Sequence, residues 1–237
     1  MADNMARRLL HTSDLHLQSL DDPMFDDFKS MLDAVDRTTP DVVVIAGDLF
    51  DHHRIKDDVI EEVVENLNRL RQPVVILPGN HDCLMPGSPY LRPCLWEKAS
   101  NIHIFRSPAG EMLNFDNLGM VLWGKPVLSY GEDMIPLDGI PKRNGSKSWH
   151  IAVAHGLYVS GGNATARSYL ITHEDIVNSG WDYIALGHMN LFNCICATPV
   201  TAYYSGSPAI SGGVAIVDLT ETEGISVRQY VLDGNGS

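Results

Sequence analysis

Asp14 and His16 stand two residues apart at the end of the apolar run RLLHTSD. A carboxylate and an imidazole placed together can share a metal ion or pass a proton. Four more apolar runs end in the same way. DVVVIAGD ends on Asp48, PVVILPGN on Asn80, IAVAH on His155 and DYIALGH on His188. Each side chain offers an oxygen or nitrogen donor. Singly, each has a plainer use: Asp14, Asp48 and Asp51 as turn or cap residues, Asn80 in a turn, a lone His satisfied in a core. Five strand ends with one grammar predict a shared metal centre instead. A mixture of carboxylate, amide and imidazole suits manganese, iron or zinc; calcium takes oxygens only, and structural zinc usually takes thiolates. Gly47, Gly79, Gly156 and Gly187 flank the candidates, where the backbone must turn or come close to a ligand.

The elements that position these residues are readable from periodicity. The five runs are short and almost continuously apolar, which predicts strands buried on both faces. Between the first three lie helical patterns. MFDDFKSMLDAVDRTTP spaces Phe25, Phe28, Met31, Leu32 and Val35 on one face and is closed by Pro40. DDVIEEVVENLNRLRQP does the same with Val59, Ile60, Val63, Val64, Leu67 and Leu70, has acids in its first turn, and is followed by Pro73. Strand and helix in alternation predict parallel βαβ units, whose ligands bind beyond the carboxyl ends of the strands. Thr172 opens a further helix, where THED resembles a capping box with Asp in place of Glu. NIHIF, GMVLWG, FNCICA, TAYYSG, GVAIVDL and ISVRQYVL are short strands from which we expect a second sheet, in part antiparallel, packed on the first with helices outside. Residues 124–148, with Pro126, Pro136, Pro141, Lys142, Arg143 and Lys147, are expected to be a long surface loop.

The 237 residues can bury a sizeable core, and no linker or repeat divides them, so one domain over 1–237 is expected. Seventeen basic residues face thirty acidic ones, giving a net charge of −13. That balance repels polyanions, so nucleic acid is not favoured as a partner, although bound metal ions would create a local positive site. Four cysteines are too few for a disulfide scaffold, and Cys194-Ile-Cys196 lacks a second pair to complete a metal site. No run reads as a signal peptide or a membrane span, so the expected location is the cytoplasm and a membrane partner is not expected. The glycosylation patterns at Asn144 and Asn163 then carry no meaning. The sequence leaves the oligomeric state open.

Taken in order, SDLH, GDLFD, PGNHD, AHG and LGHMN resemble the calcineurin-like metallophosphoesterase superfamily, over residues 8–218. HTSDLHL, AGDLFD and YYSGSP look most like its DNA-repair exonuclease branch. The resemblance implies an α/β fold, a four-layer αββα sandwich of two mixed sheets, and a binuclear metal site. It implies that Asp14 and His16 hold the first metal, that Asp48 bridges, and that Asn80, His155 and His188 hold the second. His81 of GNHD would stand near the leaving group without binding metal; Asp51 or Asp82 would orient it. One position departs from the pattern. The last block is usually Gly-His-x-His, and here it is Gly187-His188-Met189-Asn190. Asn190 could ligate through its amide oxygen, a harder and weaker donor that favours Mn2+, could act through water, or could do nothing.

The expected cofactors are two divalent ions, manganese first, with iron, zinc or nickel as alternatives. The expected chemistry is hydrolysis of a phosphodiester or phosphomonoester, with cations acidifying a water and His81 as general acid. His52, His53 and Arg54 after the bridging Asp, and Arg167 in the Gly-rich stretch 156–168, are candidate substrate contacts. His11, His103, His150 and His173 lack motif context and are expected to be structural or on the surface. Two alternatives stand beside the hydrolase of a small ester. One is a repair-type nuclease, against which count the charge and the lack of an added DNA-gripping domain. The other is a catalytically silent scaffold, against which counts His81.

Overall fold

The strand-forming runs are rich in β-branched residues that pack on both faces of a sheet, and the structure gives them that environment. It is a computed structural model and describes residues 6–131, 134–143, 145, 147–160 and 169–233. The chain begins with β1 (Arg7–Thr12), α1 (Pro23–Thr38), β2 (Val42–Ala46), α2 (Asp57–Asn68) and β3 (Val74–Leu77). Then come α3 (Pro93–Trp96), β4 (Ile102–Ile104), β5 (Glu111–Phe115) and β6 (Met120–Gly124). β7 (Trp149–His155), β8 (Leu157–Val159) and β9 (Leu170–Thr172) lead to α4 (His173–Ser179) and β10 (Tyr183–Gly187). After these are β11 (Asn193–Cys196), β12 (Thr201–Tyr204), α5 (Pro208–Ser211), β13 (Gly213–Thr220) and β14 (Gly224–Val231).

Two six-stranded mixed sheets result, in the orders β14-β13-β1-β2-β3-β4 and β11-β12-β10-β7-β6-β5. β1 to β4 run parallel, as do β12, β10, β7 and β6. The antiparallel members are β13 and β14 in one sheet and β11 and β5 at the edges of the other. The continuous apolar runs are explained residue by residue. In β2, Val42, Val44 and Ala46 face the second sheet, while Val43 and Ile45 face α1 and α2. In β10, Tyr183 and Ala185 face the first sheet, while Ile184 and Leu186 face outward onto Ile176 of α4. Alternate residues point to opposite faces, so a strand covered on both sides must be apolar throughout.

The helices follow their caps. Asp22 accepts from Met24 N (3.0 Å), with Pro23 in the first turn of α1. In α4, Thr172 Oγ1 accepts from Asp175 N (3.1 Å) and Asp175 accepts from Thr172 N (2.8 Å), a reciprocal box completed by Asp. α1 and α2 end at Thr38 and Asn68, before the prolines that follow them.

Three of the six later strands do not join the second sheet. NIHIF becomes β4, parallel to β3 at the edge of the first sheet, and GVAIVDL and ISVRQYVL become β13 and β14 on its opposite side. Strand length and apolarity carry no partner identity, whereas pairing is set by contacts distant in sequence. Among the described residues, the outer face of the second sheet is covered by one helix, α4, together with the non-helical residues Leu137 and Ile140 from the 124–148 stretch. That loop is therefore partly core; Val127 and Leu137 are buried. Cys194 and Cys196 are free thiols on β11, one exposed and one buried. Among the described residues no helix is long and apolar enough to cross a membrane.

His11 is wholly buried between the sheets, its Nδ1 2.9 Å from the Tyr183 hydroxyl. Burial lowers its pKa from 6.5 to about 3. The unfolded chain then takes up a proton that the native state refuses, so stability is complete above 6.5 and falls as the pH drops toward 3. At pH 5 the loss from this group is about 2 kcal/mol. Urea unfolding at pH 7 and pH 5 should show that loss, and it should shrink in His11→Gln.

Candidate metal centre

The carboxyl ends of β1, β2 and β3 point to one edge of the first sheet, and those of β7 and β10 to the same edge of the second. Asp14 and His16 follow β1, Asp48 follows β2, Asn80 follows β3, and His155 and His188 end or follow β7 and β10. The parallel pairing of β7 and β10 sets His155 opposite Gly187, and so beside His188. Main-chain bonds fix the loops to one another: Asp14 N donates to Gly47 O (3.0 Å), and His16 N to Asp48 O (3.0 Å).

Four of these residues carry backbone that L side chains rarely adopt. The φ angles are 55° at Asp14, 50° at His16, 53° at Asp48 and 104° at His188. Such conformations cost about 1–3 kcal/mol each and persist where surrounding structure over-determines them. Here the strained turns direct four donors into one space.

Asp48 lies at the middle of the cluster. One of its carboxylate oxygens lies within 4.8 Å of a ring nitrogen of His16 and of His81, and one lies within 4.8 Å of a carboxylate oxygen of Asp14 and a ring nitrogen of His155. Oδ1 accepts from His81 N (2.9 Å), and Oδ2 lies 3.3 Å from His155 Nε2. Asn80 Oδ1 is 2.8 Å from His155 Nε2 and 3.0 Å from His188 Nδ1. His188 N donates to Asp14 Oδ2 (3.0 Å). The structure thus brings together Asp14, His16, Asp48, Asn80, His155 and His188.

The donor set fits a cation. His155 Nδ1 is 2.9 Å from the Ala46 carbonyl, so Nδ1 carries the proton and Nε2 is the second ring nitrogen. Nε2 then faces an amide oxygen and a carboxylate oxygen, both acceptors. Only positive charge reconciles a nitrogen lone pair with two oxygens. Burial disfavours an imidazolium, yet the Asp48 carboxylate outweighs it and lifts the His155 pKa to about 9. Asp48 responds in kind: burial would raise its pKa, and His155 brings it down to about 2. His188 shifts downward, through burial and then the His155 charge. A divalent ion between Nε2 and the two oxygens would satisfy the same electrostatics.

Around the cluster the aspartates divide. Asp51 Oδ1 lies 3.3 Å from His16 Nδ1 and 3.6 Å from His81 Nδ1, and its carbonyl accepts from His81 Nδ1 (2.9 Å). The His16 and His81 rings meet edge to face at 4.6 Å. Asp82 does not approach His81 Nδ1 in this way. It is wholly buried and takes Gly79 N (2.7 Å), Phe50 N (3.0 Å) and the Tyr90 hydroxyl (2.5 Å). It therefore ties the loop after β2 to the loop after β3. Burial and the nearby Asp48 charge raise its pKa to about 7 despite those donors. Tyr90, outside every motif, had no signal in the sequence.

Asn190 is exposed, and its main-chain carbonyl accepts from Ser207 N (3.2 Å). His52 is half-buried, and its Nδ1 has no hydrogen bond among the described residues. His53 Nδ1 meets the Tyr130 hydroxyl at 3.1 Å, and Arg54 is exposed. Arg92, missed in the sequence, clamps this loop by donating to Ile55 O (2.7 Å) and His53 O (3.2 Å). Arg167 lies outside the described residues.

The glycines have specific causes. A Cβ on Gly187 would stand 1.8 Å from Ala46 O, the carbonyl that also holds His155. One on Gly79 would stand 2.2 Å from Asp48 Oδ1. Gly187→Ala forces the two sheets apart at the site and should cost about 3 kcal/mol or more. A fall in Tm of roughly 6–12 °C by calorimetry checks it.

The model of the calcineurin-like phosphoesterase family matches residues 7–191. The chain is 30% identical to the uncharacterized metallophosphoesterase YhaO of Bacillus subtilis (strain 168), over 84% of this chain and 52% of that protein. It is 27% identical to a subunit of the SbcCD nuclease of the same organism, over 95% of this chain and 69% of that one. The chain thus spans about half the length of YhaO. Among solved structures, TT1561 of Thermus thermophilus matches with a TM-score of 0.61 at 11% identity, over 95% of this chain and 99% of that one, a likeness of fold.

Proposed function

Because this chain belongs to the calcineurin-like phosphoesterase family, we propose that it hydrolyses phosphate esters at a centre of two divalent ions, manganese foremost. The single observation that supports the reading most is the position of Asp48, common to two separate groups of potential ligands. In this reading Asp14, His16 and Asp48 hold one ion, with Asn190 as a further oxygen donor, and Asp48, Asn80, His155 and His188 hold the other. Ions so held supply Lewis acidity toward phosphoryl oxygens and make a water acidic enough to attack near neutral pH.

The protein's own groups do the rest. Ala46 O fixes the His155 tautomer, which keeps Nε2 for the cation. Asp51 places a carboxylate oxygen 3.3 Å from His16 Nδ1 and positions His81 through its carbonyl. With Nδ1 donating to Asp51 O, a protonated His81 carries its transferable proton on Nε2. His81 is the general acid that hands this proton to the departing alkoxide. Its partial exposure, 44% of the side chain, lets substrate reach it. His52 and Arg54 line the approach after Asp48 and contact the substrate.

Hydrolysis of bis-p-nitrophenyl phosphate with added Mn2+, abolished by a chelator and restored by metal, tests the reading. No turnover with any divalent ion would favour the silent scaffold. A second reading, a nuclease, is supported by the likeness to the SbcCD nuclease subunit along most of this chain. The net charge of −13 weighs against it. Cleavage of single- or double-stranded DNA that falls steeply with salt would establish it.

A further inference from the structure

Beside the metal cluster lies a cleft of about 350 Å³, with Tyr158, Met189, Leu191, Phe192, Asn193 and Tyr204 among its walls. That volume lies near the lower end of small-molecule sites, roughly 300–1,000 Å³. None of the described residues lining it carries a charge, in a chain whose surplus is thirteen acids. The cleft is joined to the site. Met189 directly follows His188, and Tyr158 is three residues beyond His155. The Tyr204 hydroxyl donates to Gly156 O (2.7 Å) and accepts from Tyr158 N (2.7 Å), which fastens the wall to the strand end bearing His155. The next residue, Ser205, meets Ser13 at 2.9 Å, one position before Asp14. At the mouth, Met189 and Leu191 are 39% and 62% exposed, large apolar side chains left facing water around a concave surface.

We propose that this cleft is a subsite for a flat, uncharged aromatic group of the phosphoester, an aryl ring or a nucleobase, while the phosphoryl group lies at the metal cluster. This rests on the phosphoester reading of that cluster. Three aromatic walls and a thioether suit a ring better than a branched alkyl group, since edge and face contacts and sulfur–aromatic contacts are available to it. The Asn193 amide offers one donor and one acceptor, which a heteroaromatic edge can use. The described walls carry no cation, so they suit an uncharged group better than a second phosphate. The cleft therefore favours a small or terminal ester over a polyanion running on through it.

Three p-nitrophenyl phosphodiesters test the proposal, with methyl, phenyl or thymidine-5′-yl as the second ester group and a common leaving group. With Mn2+, kcat/KM for the phenyl and thymidyl esters should exceed that for the methyl ester by about tenfold or more, chiefly through KM. Phenyl alone favoured means an aryl ring, and thymidyl favoured over phenyl means a nucleobase. Leu191→Asp, at an exposed position that does not threaten folding, should collapse the preference toward one; Ile210→Asp, exposed and outside the cleft, should keep it. Equal rates for all three esters, or a preference untouched by Leu191→Asp, would overturn the subsite. If no ester is turned over, the phosphoester reading fails, and the cleft is judged by saturation-transfer NMR with thymidine and with phenol. Transfer to either that is lost in Leu191→Asp supports the cleft, and none, or transfer equal in both proteins, overturns it.

Discussion

Asp48→Asn is expected to reduce bound metal from two ions per chain to one or none, and to lower kcat/KM by about 10³-fold or more. The substitution keeps the shape of the side chain and removes its charge. Asp48 is the carboxylate common to both groups of donors among the described residues, so the substitution removes negative charge from both. An amide in its place would also turn an NH2 either toward the His81 N–H, donor against donor, or toward the His155 Nε2 lone pair that a cation needs. Elemental analysis after desalting gives the stoichiometry directly. Thermal unfolding gives a second measure: Mn2+ should raise the Tm of the parent protein by linkage and leave the variant almost unmoved. Two ions still bound by Asp48→Asn would remove the bridging role.

His81→Ala should lower kcat by roughly 10²–10⁴-fold while leaving two metals in place. The loss should depend on the leaving group. p-Nitrophenolate departs with little help from an acid, whereas phenolate or an alkoxide needs the proton, so phenyl or alkyl esters should suffer most. His81 also stands within ligand distance of His16 and Asp48, which makes a ligand role the natural competitor. The two are separable: loss of one ion, with equal damage for good and poor leaving groups, would make His81 a ligand and not an acid.

Much of the site was legible because each contribution is local. An apolar run ending in Asp14, Asp48, Asn80, His155 or His188 needs only a window of about eight residues to be seen. The rule that parallel strands present their carboxyl ends together supplied the convergence. The roles of the aspartates were not legible in the same way. Asp51 and Asp82 are both candidates to orient His81, and only the fold shows that Asp82 is turned inward onto Tyr90, Phe50 N and Gly79 N while Asp51 reaches two imidazoles. The cleft walled by Tyr158, Met189 and Tyr204 gave no pattern, because its walls come from β8, β11, β12 and the loop after β10, which lie apart in the sequence.

Sequence by itself determined eleven of the strands and the helices α1, α2 and α4, the continuous burial of the central strands, the capped start of α4 and the chemical types at five strand ends, while the short β5, β8, β9, α3 and α5 carried no expectation. These follow from side-chain periodicity and local hydrogen bonding, which short segments already contain. The tertiary structure decided which sheet each strand joins, with β13 and β14 returning from far along the chain to pair beside β1. It also decided the left-handed backbone at Asp14, His16, Asp48 and His188. Neither is encoded locally: strand edges accept many partners, and a strained φ is held only by the packed loops around it, so both are settled when the two sheets close on each other.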